Sequence, residues 1–310
     1  MFKKRSPRYV IKKYTGKKFP QKWRKDITED DISHLFKPKK LVSENTTLAT
    51  MGSCFAQRLE VWLRQKKFNV IGGQRNWGVV YNPKNIKQLI QMALDPTQFT
   101  SAEEFWVWGN DFRSPYIKAS GMEPLALPSG VHKARKALKR MHQEWAKIFK
   151  KVDVLIITLG QTEYWAHKDA PNVAFYTAPF MGIKDGEKNH ICANLSYSEI
   201  KEELAQAVEL LHKHNPHLNI VFSVSPIPLV ASFSENYSAY IAAGAAKSKL
   251  HAAALDLIEE YEFLHYMPSY EIVNSNPHGH FKKDGRHVVG AVAAKIMNHF
   301  KKLYVTNGKK

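Results

Sequence analysis

The sequence predicts an α/β fold in which one mainly parallel sheet is doubly wound, with helices on both of its faces. Two observations carry this prediction. Short β-branched segments alternate with amphipathic segments long enough for helices, as in consecutive βαβ units. The segment Val152–Leu159 is apolar at nearly every position, which is typical of a strand buried on both faces of a parallel sheet.

The first predicted unit is a strand at Leu48–Met51 that ends at Gly52, followed by a helix from Cys54. Apolar residues recur at helical spacing along that helix, and Ser53 is placed to cap it. The segment 100–128 has no clear period, and we expect an insertion or a long loop there. A second long loop is expected from Gly160 to about Tyr197. The other predicted elements are strands at 68–71, 152–159, 219–224 and 263–266, and helices at 85–94, 131–150, 198–213, 237–261 and 288–303.

The composition is that of a basic globular protein. The 310 residues include 46 Lys and Arg against 28 Asp and Glu, a formal charge of +18, and 44% hydrophobic residues exclude global disorder. Two cysteines, Cys54 and Cys192, exclude a disulfide framework and a four-cysteine zinc site, and we interpret Cys192 as structural. No run of eighteen apolar residues is present, so we expect no membrane span and a cytoplasmic protein.

The positive charge is concentrated at the N-terminus. The first forty residues hold fourteen Lys and Arg against four acids. We predict a basic, partly flexible arm at 1–41, one α/β domain at 42–305 and a basic tail at 306–310. The arm is either a solvated extension or a contact for an anionic partner such as nucleic acid or lipid, because polybasic segments release counterions on binding.

Candidate chemistry lies in the loops that follow the strands, because ligands of an open parallel sheet bind at the carboxyl ends of its strands. Cys54 is the first candidate: a thiol at a helix start faces the positive end of the helix dipole, which favours the thiolate. A buried, inert Cys54 is the alternative. Ser53 is the rival nucleophile, with helix capping as its alternative role.

His287 and Asp284 lie three residues apart in a second loop, so one turn could supply a general base and the carboxylate that orients it. Gly78 and Gly160 would let backbone N–H groups approach an oxyanion, and Thr162 could add a hydroxyl donor; both glycines could equally be strand-ending turns. Glu163 and Trp165 could line a pocket, although Trp165 could also be a core residue. His278 and His280 lack a third ligand at zinc spacing, so we expect no metal.

These segments resemble one known family. The string Met51–Ala56 reads MGSCFA, which is the motif that names the GSCFA-domain family, grouped with the SGNH (GDSL-like) hydrolases. The segments 158–165 (TLGQTEYW) and 78–83 (GVVYNP) resemble two further signatures of that family, and Asp284–His287 (DGRH) is similar to the Asp-x-x-His block of SGNH enzymes. The resemblance covers about residues 42–305 in the expected order.

The resemblance implies a three-layer, flavodoxin-like α/β fold of the SGNH-hydrolase type and acyl-transfer chemistry without a cofactor. Cys54 matches the family's serine nucleophile, with Ser53 in place of an aspartate, and His287 and Asp284 match its base and orienter. Gly78 corresponds loosely to the second block. Gly160 matches the third block, where Thr162 and Glu163 replace an asparagine and an aspartate.

We therefore expect an ester hydrolase or O-acyltransferase that forms a covalent acyl-enzyme. Its substrate would be a small-molecule or glycan ester, and a carbohydrate is the expected acceptor. The basic surface would suit an acyl-CoA donor. The alternative is a non-catalytic module on the same scaffold that binds a glycan or polyanion, because fold does not fix function. Nucleic-acid binding through the arm is a third hypothesis, without a supporting motif.

Overall fold

The computed structural model describes residues 39–101, 103–118, 123–176, 178–181, 183–274 and 277–306. Most of the predicted arm, residues 1–38, and the tail at 307–310 lie outside the described residues. Within the described ranges, no helix has the length and apolarity needed to cross a lipid bilayer.

A five-stranded parallel sheet forms the centre of the fold. Its strands are β1 (Thr47–Gly52), β2 (Asn69–Gly72), β6 (Val154–Leu159), β10 (Asn219–Val224) and β11 (Leu264–Tyr266). They lie in the order β11-β10-β6-β1-β2, and every neighbouring pair is parallel. Numbered along the chain, these five strands have the order 2-1-3-4-5, which is the flavodoxin-like arrangement. The order reverses between β1 and β6, so the crevice for a ligand is expected at their carboxyl ends.

Helices cover both faces of this sheet, as the sequence predicts. Ala49, Met51 and Ile157 belong to one buried cluster, with the helices at 83–94, 131–151, 197–214 and 239–260. Leu48 and Ile156 belong to another, with the helices at 54–65, 269–274 and 290–304. Alternate residues of one strand thus enter different cores. The helices are α1 (Cys54–Gln65), α2 (Gln74–Trp77), α3 (Pro83–Leu94), α4 (Val131–Lys151), α5 (Tyr197–His214), α6 (Ala239–Glu260), α7 (Ser269–Asn274), α8 (Pro277–His280) and α9 (Gly290–Tyr304).

The two segments expected as loops or insertions instead contain small antiparallel sheets. The first consists of β3 (Trp106–Trp108), β4 (Asp111–Lys118) and β5 (Pro124–Leu127), and the second of β7 (Glu163–His167), β8 (Ala170–Phe175) and β9 (His190–Asn194). Side chains of α3 hold the second sheet: the Gln88 amide accepts from the N–H of Ala174 at 2.7 Å and donates to its carbonyl at 2.8 Å. The strands of the two small sheets are short and show little periodicity in the sequence. Hydrogen bonds such as those of Gln88 to Ala174 cannot be predicted from the sequence.

Candidate active site

Cys54 lies on a sharp turn between β1 and α1. Gly52 has a φ of +142°, and a Cβ there would lie 2.4 Å from the carbonyl oxygen of Thr158 on β6, so the turn requires glycine. Ser53 is buried and caps α1, since its Oγ accepts from the N–H of Phe55 at 3.2 Å. Cys54 is exposed at the first helical position, where its N–H has no acceptor within the helix. The structure thus gives Ser53 a capping role and leaves Cys54 accessible.

Two backbone hydrogen bonds join the chain segments at the strand ends. The N–H of Val80 donates to the carbonyl of Gly52 at 3.1 Å, and the N–H of Gly160 donates to the carbonyl of Tyr81 at 2.9 Å. The segment before α3 therefore crosses the carboxyl ends of β1 and β6, at the reversal of strand order. This fixes Tyr81 beside the turn that carries Cys54.

A cavity of about 220 Å³ opens at this edge of the sheet. Its lining combines polar groups from five loops with an apolar wall from the segments at 178–180 and 227–233. The polar side chains include those of Ser53, Cys54, Tyr81, Gln161, Ser225 and Arg286. Candidate residues far apart in the sequence thus meet at one cavity.

Asp284 and His287 form the pair expected from their spacing. Nδ1 of His287 lies 2.5 Å from Oδ2 of Asp284, and Oδ1 accepts from the N–H groups of Arg286 and His287 at 3.0 and 2.9 Å. The imidazole and these two N–H groups hold the pKa of the Asp284 carboxyl well below its usual range. With Nδ1 engaged, Nε2 of His287 is the nitrogen left for proton transfer.

The loop of His287 is tied to the helix of Cys54. Arg58, one turn after Cys54 on α1, donates from Nη1 to the carbonyl of Val288 at 3.1 Å. Arg286 shares the cavity lining with Cys54, whereas His287 lies outside the lining and is partly exposed. The pair thus lies on the loop that contributes Arg286 to the cavity, and the lining includes neither Asp284 nor His287.

Of the three residues expected to form an oxyanion hole, Gly160 lines the cavity of Cys54, whereas Gly78 and Thr162 do not. The N–H of Gly78 donates to the carbonyl of Gln74 at 2.7 Å, and Gly78 lines a different cavity. The N–H of Gly160 is bonded to Tyr81, and a Cβ on Gly160 would lie 3.0 Å from that side chain, so this glycine serves close packing. Thr162 is only 1% exposed and lies outside the lining.

The structure adds two groups that the sequence did not indicate. The Gln161 carboxamide lines the cavity and donates to the carbonyl of Glu163 at 3.3 Å. Lys247 on α6 is 3% exposed, and its Nζ donates to the carbonyl of Gly160 at 2.6 Å. Burial lowers the pKa of Lys247 to about 7, against a raising effect of Cys54. Gln161 could have been found from the sequence, because its carboxamide directly follows Gly160 at the end of a predicted strand. Lys247 could not, because nothing in the sequence of the alanine-rich helix α6 distinguishes it.

Glu163 and Trp165 both line the cavity, in different roles. The Glu163 carboxylate accepts from the Ser232 hydroxyl and, at 3.1 Å, from the N–H of Phe233, so it anchors a loop. Trp165 packs edge-on against Phe233 and Phe180, at 4.7 and 5.7 Å between ring centroids. These three rings form an aromatic wall.

Two remaining candidates lie apart from this chemistry. Burial raises the pKa of the Cys192 thiol to about 12, and Glu163 adds to that shift, which agrees with a structural cysteine. Nδ1 of His280 lies 2.8 Å from the carbonyl of Val273. Across the described ranges, no three His, Cys, Asp or Glu side chains are grouped as a metal site would require.

These features define a doubly wound α/β protein with a cysteine on a strand-to-helix turn and a histidine–aspartate pair nearby. The chain belongs to the GSCFA family, whose model matches residues 47–300. No curated protein matches this sequence significantly.

Three solved structures are similar in architecture. The first is a carbohydrate acetylesterase family member from Sinorhizobium meliloti, with 10% identity and a TM-score of 0.34 over 83% of this chain and 96% of that chain. The second is a carbohydrate esterase family 3 protein from Talaromyces cellulolyticus, with 9% identity and a TM-score of 0.35 over 83% of this chain and 95% of that chain. The third is a carbohydrate esterase family 2 enzyme with a carbohydrate-binding domain from Corynascus thermopiles (Myceliophthora fergusii), with 11% identity and a TM-score of 0.36 over 84% of this chain and 66% of that chain. Similarity at these identities and TM-scores does not show the function of this chain.

Proposed function

We propose that this protein is an SGNH-type acyl-ester enzyme in which Cys54 is the nucleophile. The observation that carries the proposal is the exposed thiol at the start of α1, which lines the same cavity as Arg286, a residue of the loop that carries the His287–Asp284 pair. An accessible thiol, a base and an orienter of that base are the parts that nucleophilic acyl transfer needs.

The reaction begins with proton transfer from the Cys54 thiol to Nε2 of His287. The sulfur then attacks the acyl carbonyl carbon, and the C=O electron pair becomes an oxyanion. The N–H of Cys54, which has no acceptor within α1, and the Gln161 carboxamide are the proposed donors to that oxyanion, in place of Gly78, Gly160 and Thr162. Lys247, when protonated, adds positive charge behind Gly160 and favours both the thiolate of Cys54 and the oxyanion.

Collapse of the tetrahedral intermediate expels the alkoxide, which takes the proton from His287, and leaves a thioester on Cys54. His287 then removes a proton from water, whose oxygen attacks the thioester and releases the acid, with the proton returned to the sulfur. A substrate hydroxyl in place of that water makes the enzyme an O-acyltransferase. A carbohydrate hydroxyl is the acceptor that follows from the family resemblance, and acyl-CoA remains a candidate donor.

The test compares the hydrolysis of p-nitrophenyl butyrate by the wild type, Cys54→Ala and His287→Gln. We expect both variants to lose at least about a hundredfold in kcat/KM, because each removes a member of one catalytic unit. Mass spectrometry of the wild type after a short reaction should find one acyl group on the peptide that contains Cys54.

Ser53→Ala is the matched control, since it changes the neighbouring residue. Loss of the helix cap is expected to lower the free energy of unfolding by about 1 kcal/mol while activity stays within a few fold. Full turnover by Cys54→Ala would overturn the assignment of the nucleophile. If the wild type hydrolyses no acyl ester and iodoacetamide does not alkylate Cys54, these results would favour the non-catalytic binding module.

A further inference from the structure

One wall of the cavity is apolar and remains open to solvent. Exposed fractions are 68% for Val230, 50% for Phe233 and 46% for Phe180, and all three side chains line the cavity that holds Cys54. Large apolar side chains grouped at the mouth of a pocket mark a binding surface, because leaving them in water is unfavourable. We name Trp165, Phe180, Leu229, Val230, Ala231 and Phe233 the apolar rim.

The apolar rim is held in place before any ligand arrives. Glu163, at the start of β7, accepts hydrogen bonds from the Ser232 hydroxyl and the Phe233 N–H, which fixes the loop of the rim against the second small sheet. Trp165 lies in van der Waals range of Phe180 and Phe233. These contacts prevent the rim from collapsing into the cavity, so the apolar surface is preorganised for a ligand.

Polar groups beside the apolar rim already have partners. The Glu163 carboxylate accepts from the Ser232 hydroxyl, and the hydroxyl of Tyr164, which also lines the cavity, donates to the carbonyl of Pro171 at 3.3 Å. A sugar ring needs hydrogen-bond partners for its hydroxyls beside an aromatic platform, since burying unpaired hydroxyls is costly. A hydrocarbon chain needs none. The rim therefore matches a hydrocarbon chain better than a sugar.

We propose that the apolar rim binds the acyl chain of the substrate, so that this enzyme prefers esters of medium-chain fatty acids over acetyl esters. This inference rests on the proposed function, because it places the scissile carbonyl at Cys54 and the chain along the rim. The alcohol part then leaves towards Arg286, a basic residue of the lining on the same loop as His287.

The test measures kcat/KM for p-nitrophenyl esters from acetyl to decanoyl. Each methylene that the rim buries is expected to raise kcat/KM about two- to fourfold until the rim is filled, so the hexanoyl ester should exceed the acetyl ester by at least about tenfold. The double variant Val230→Ser/Phe233→Ser should lower the hexanoyl-to-acetyl ratio by about tenfold. Tyr240→Ser is the control, since Tyr240 is 85% exposed outside the cavity lining, and it should leave the ratio unchanged.

A flat profile, or a preference for the acetyl ester, would overturn the inference while leaving the proposed function in place. If the wild type hydrolyses no ester and acquires no acyl group, the proposed function fails, and binding decides the role of the rim. Tryptophan fluorescence of Cys54→Ala titrated with decanoate and with acetate should then show tighter binding of decanoate, lost in the rim double variant. Equal affinity for the two acids would overturn the inference.

Discussion

At the residue scale, the electrostatics of the cavity depend on Lys247. Cys54 and Lys247 come from helices on opposite faces of the sheet and meet at the carboxyl ends of β1 and β6. A buried ammonium that donates to the carbonyl of Gly160 is costly, because in water the same group is surrounded by several water molecules. That cost is consistent with a functional role, since perturbed titratable groups cluster at active sites.

The first prediction concerns the stability of Lys247→Met as a function of pH. Burial lowers the pKa of Lys247 in the folded protein to about 7, against an ordinary value of 10.5. Below pH 7 both states are protonated, and the folded state carries the full cost of the buried charge. As the pH rises from 7 towards 10.5, the folded state releases the proton before the unfolded state does, so the cost disappears and stability rises.

Between pH 7 and pH 9, the free energy of unfolding of the wild type should therefore rise by about 2 kcal/mol more than that of the variant. Urea unfolding curves at pH 7, 8 and 9 measure this difference. Methionine keeps an apolar chain of similar length, so packing stays comparable. Parallel pH dependences would contradict the prediction. In the variant, alkylation of Cys54 by iodoacetamide at pH 7 should also slow, because the neighbouring positive charge is lost.

Single residues differ in how far the sequence reveals them. Cys54 and the Asp284–His287 pair could be proposed because each is marked by local sequence, a strand-turn-helix boundary or a three-residue spacing. The sequence did not reveal that the N–H of Gly78 closes the short helix α2, because no motif marks that hydrogen bond. Lys247 was missed because burial of a helical lysine depends on what packs against it.

At the element scale, α1 and the loop before α9 form one unit. Arg58 projects from α1 on the same side as Cys54 and binds the carbonyl of Val288, the residue after His287. The loop is itself a tight turn. The backbone N–H of Lys282 donates to the carbonyl of His287 at 2.7 Å, and Gly285 has a φ of +66°. We infer that Arg58 is a positioning residue that fixes the imidazole relative to the thiol.

The second prediction is that Arg58→Met lowers kcat/KM about tenfold, mainly through kcat, because one charged hydrogen bond that sets the geometry is lost. Arg58→Lys should restore part of the activity. Arg64→Met is the control on the same helix: Arg64 binds Glu60 and the carbonyl of Val70, so its loss should affect stability and leave kcat unchanged. Equal kcat in Arg58→Met and the wild type would contradict the positioning role.

The central elements were predictable and the inserted sheets were not. The buried strands and long helices have strong periods, and their bounds agree with the sequence-based expectation within about three residues. The sheet in the segment 160–197 is held by Gln88 and Asn85 of α3, which bind the backbone of Ala174. The sheet in the segment 100–128 is joined to that segment by the N–H of Tyr176, which donates to the carbonyl of Pro115 at 3.0 Å. Strands stabilised by side chains from a distant helix leave no alternating pattern to detect.

At the scale of the whole molecule, the strand order 2-1-3-4-5 explains why the cavity lies where it does. The reversal between β1 and β6 leaves a crevice, and the motifs at 52–54 and 160–163 flank it. The alternation of strands and helices predicts the fold class. The position of the Asp284–His287 loop relative to this crevice, by contrast, depends on how α9 packs. The described chain starts beside that helix, with Lys40 donating from Nζ to the carbonyls of Lys302 and Val305 at 2.8 and 2.9 Å.

The last prediction concerns the charge of the molecule. Residues 1–38 carry twelve of the 46 Lys and Arg and four acids, so their removal lowers the formal charge from +18 to about +10. Because binding to a polyanion gains from counterion release for each basic residue engaged, the shortened protein should elute from heparin-agarose at clearly lower salt. Its kcat/KM for p-nitrophenyl butyrate should match that of the full chain, since every proposed catalytic residue lies in the retained part.

A full-length variant with those twelve basic residues replaced by glutamine separates charge from length, and it should elute like the shortened protein. Elution of the shortened protein at the salt concentration of the full chain would place the polyanion-binding surface on the α/β domain instead. Loss of ester hydrolysis in the shortened protein, with activity kept in the glutamine variant, would show that the arm supports the domain through packing rather than through its charge.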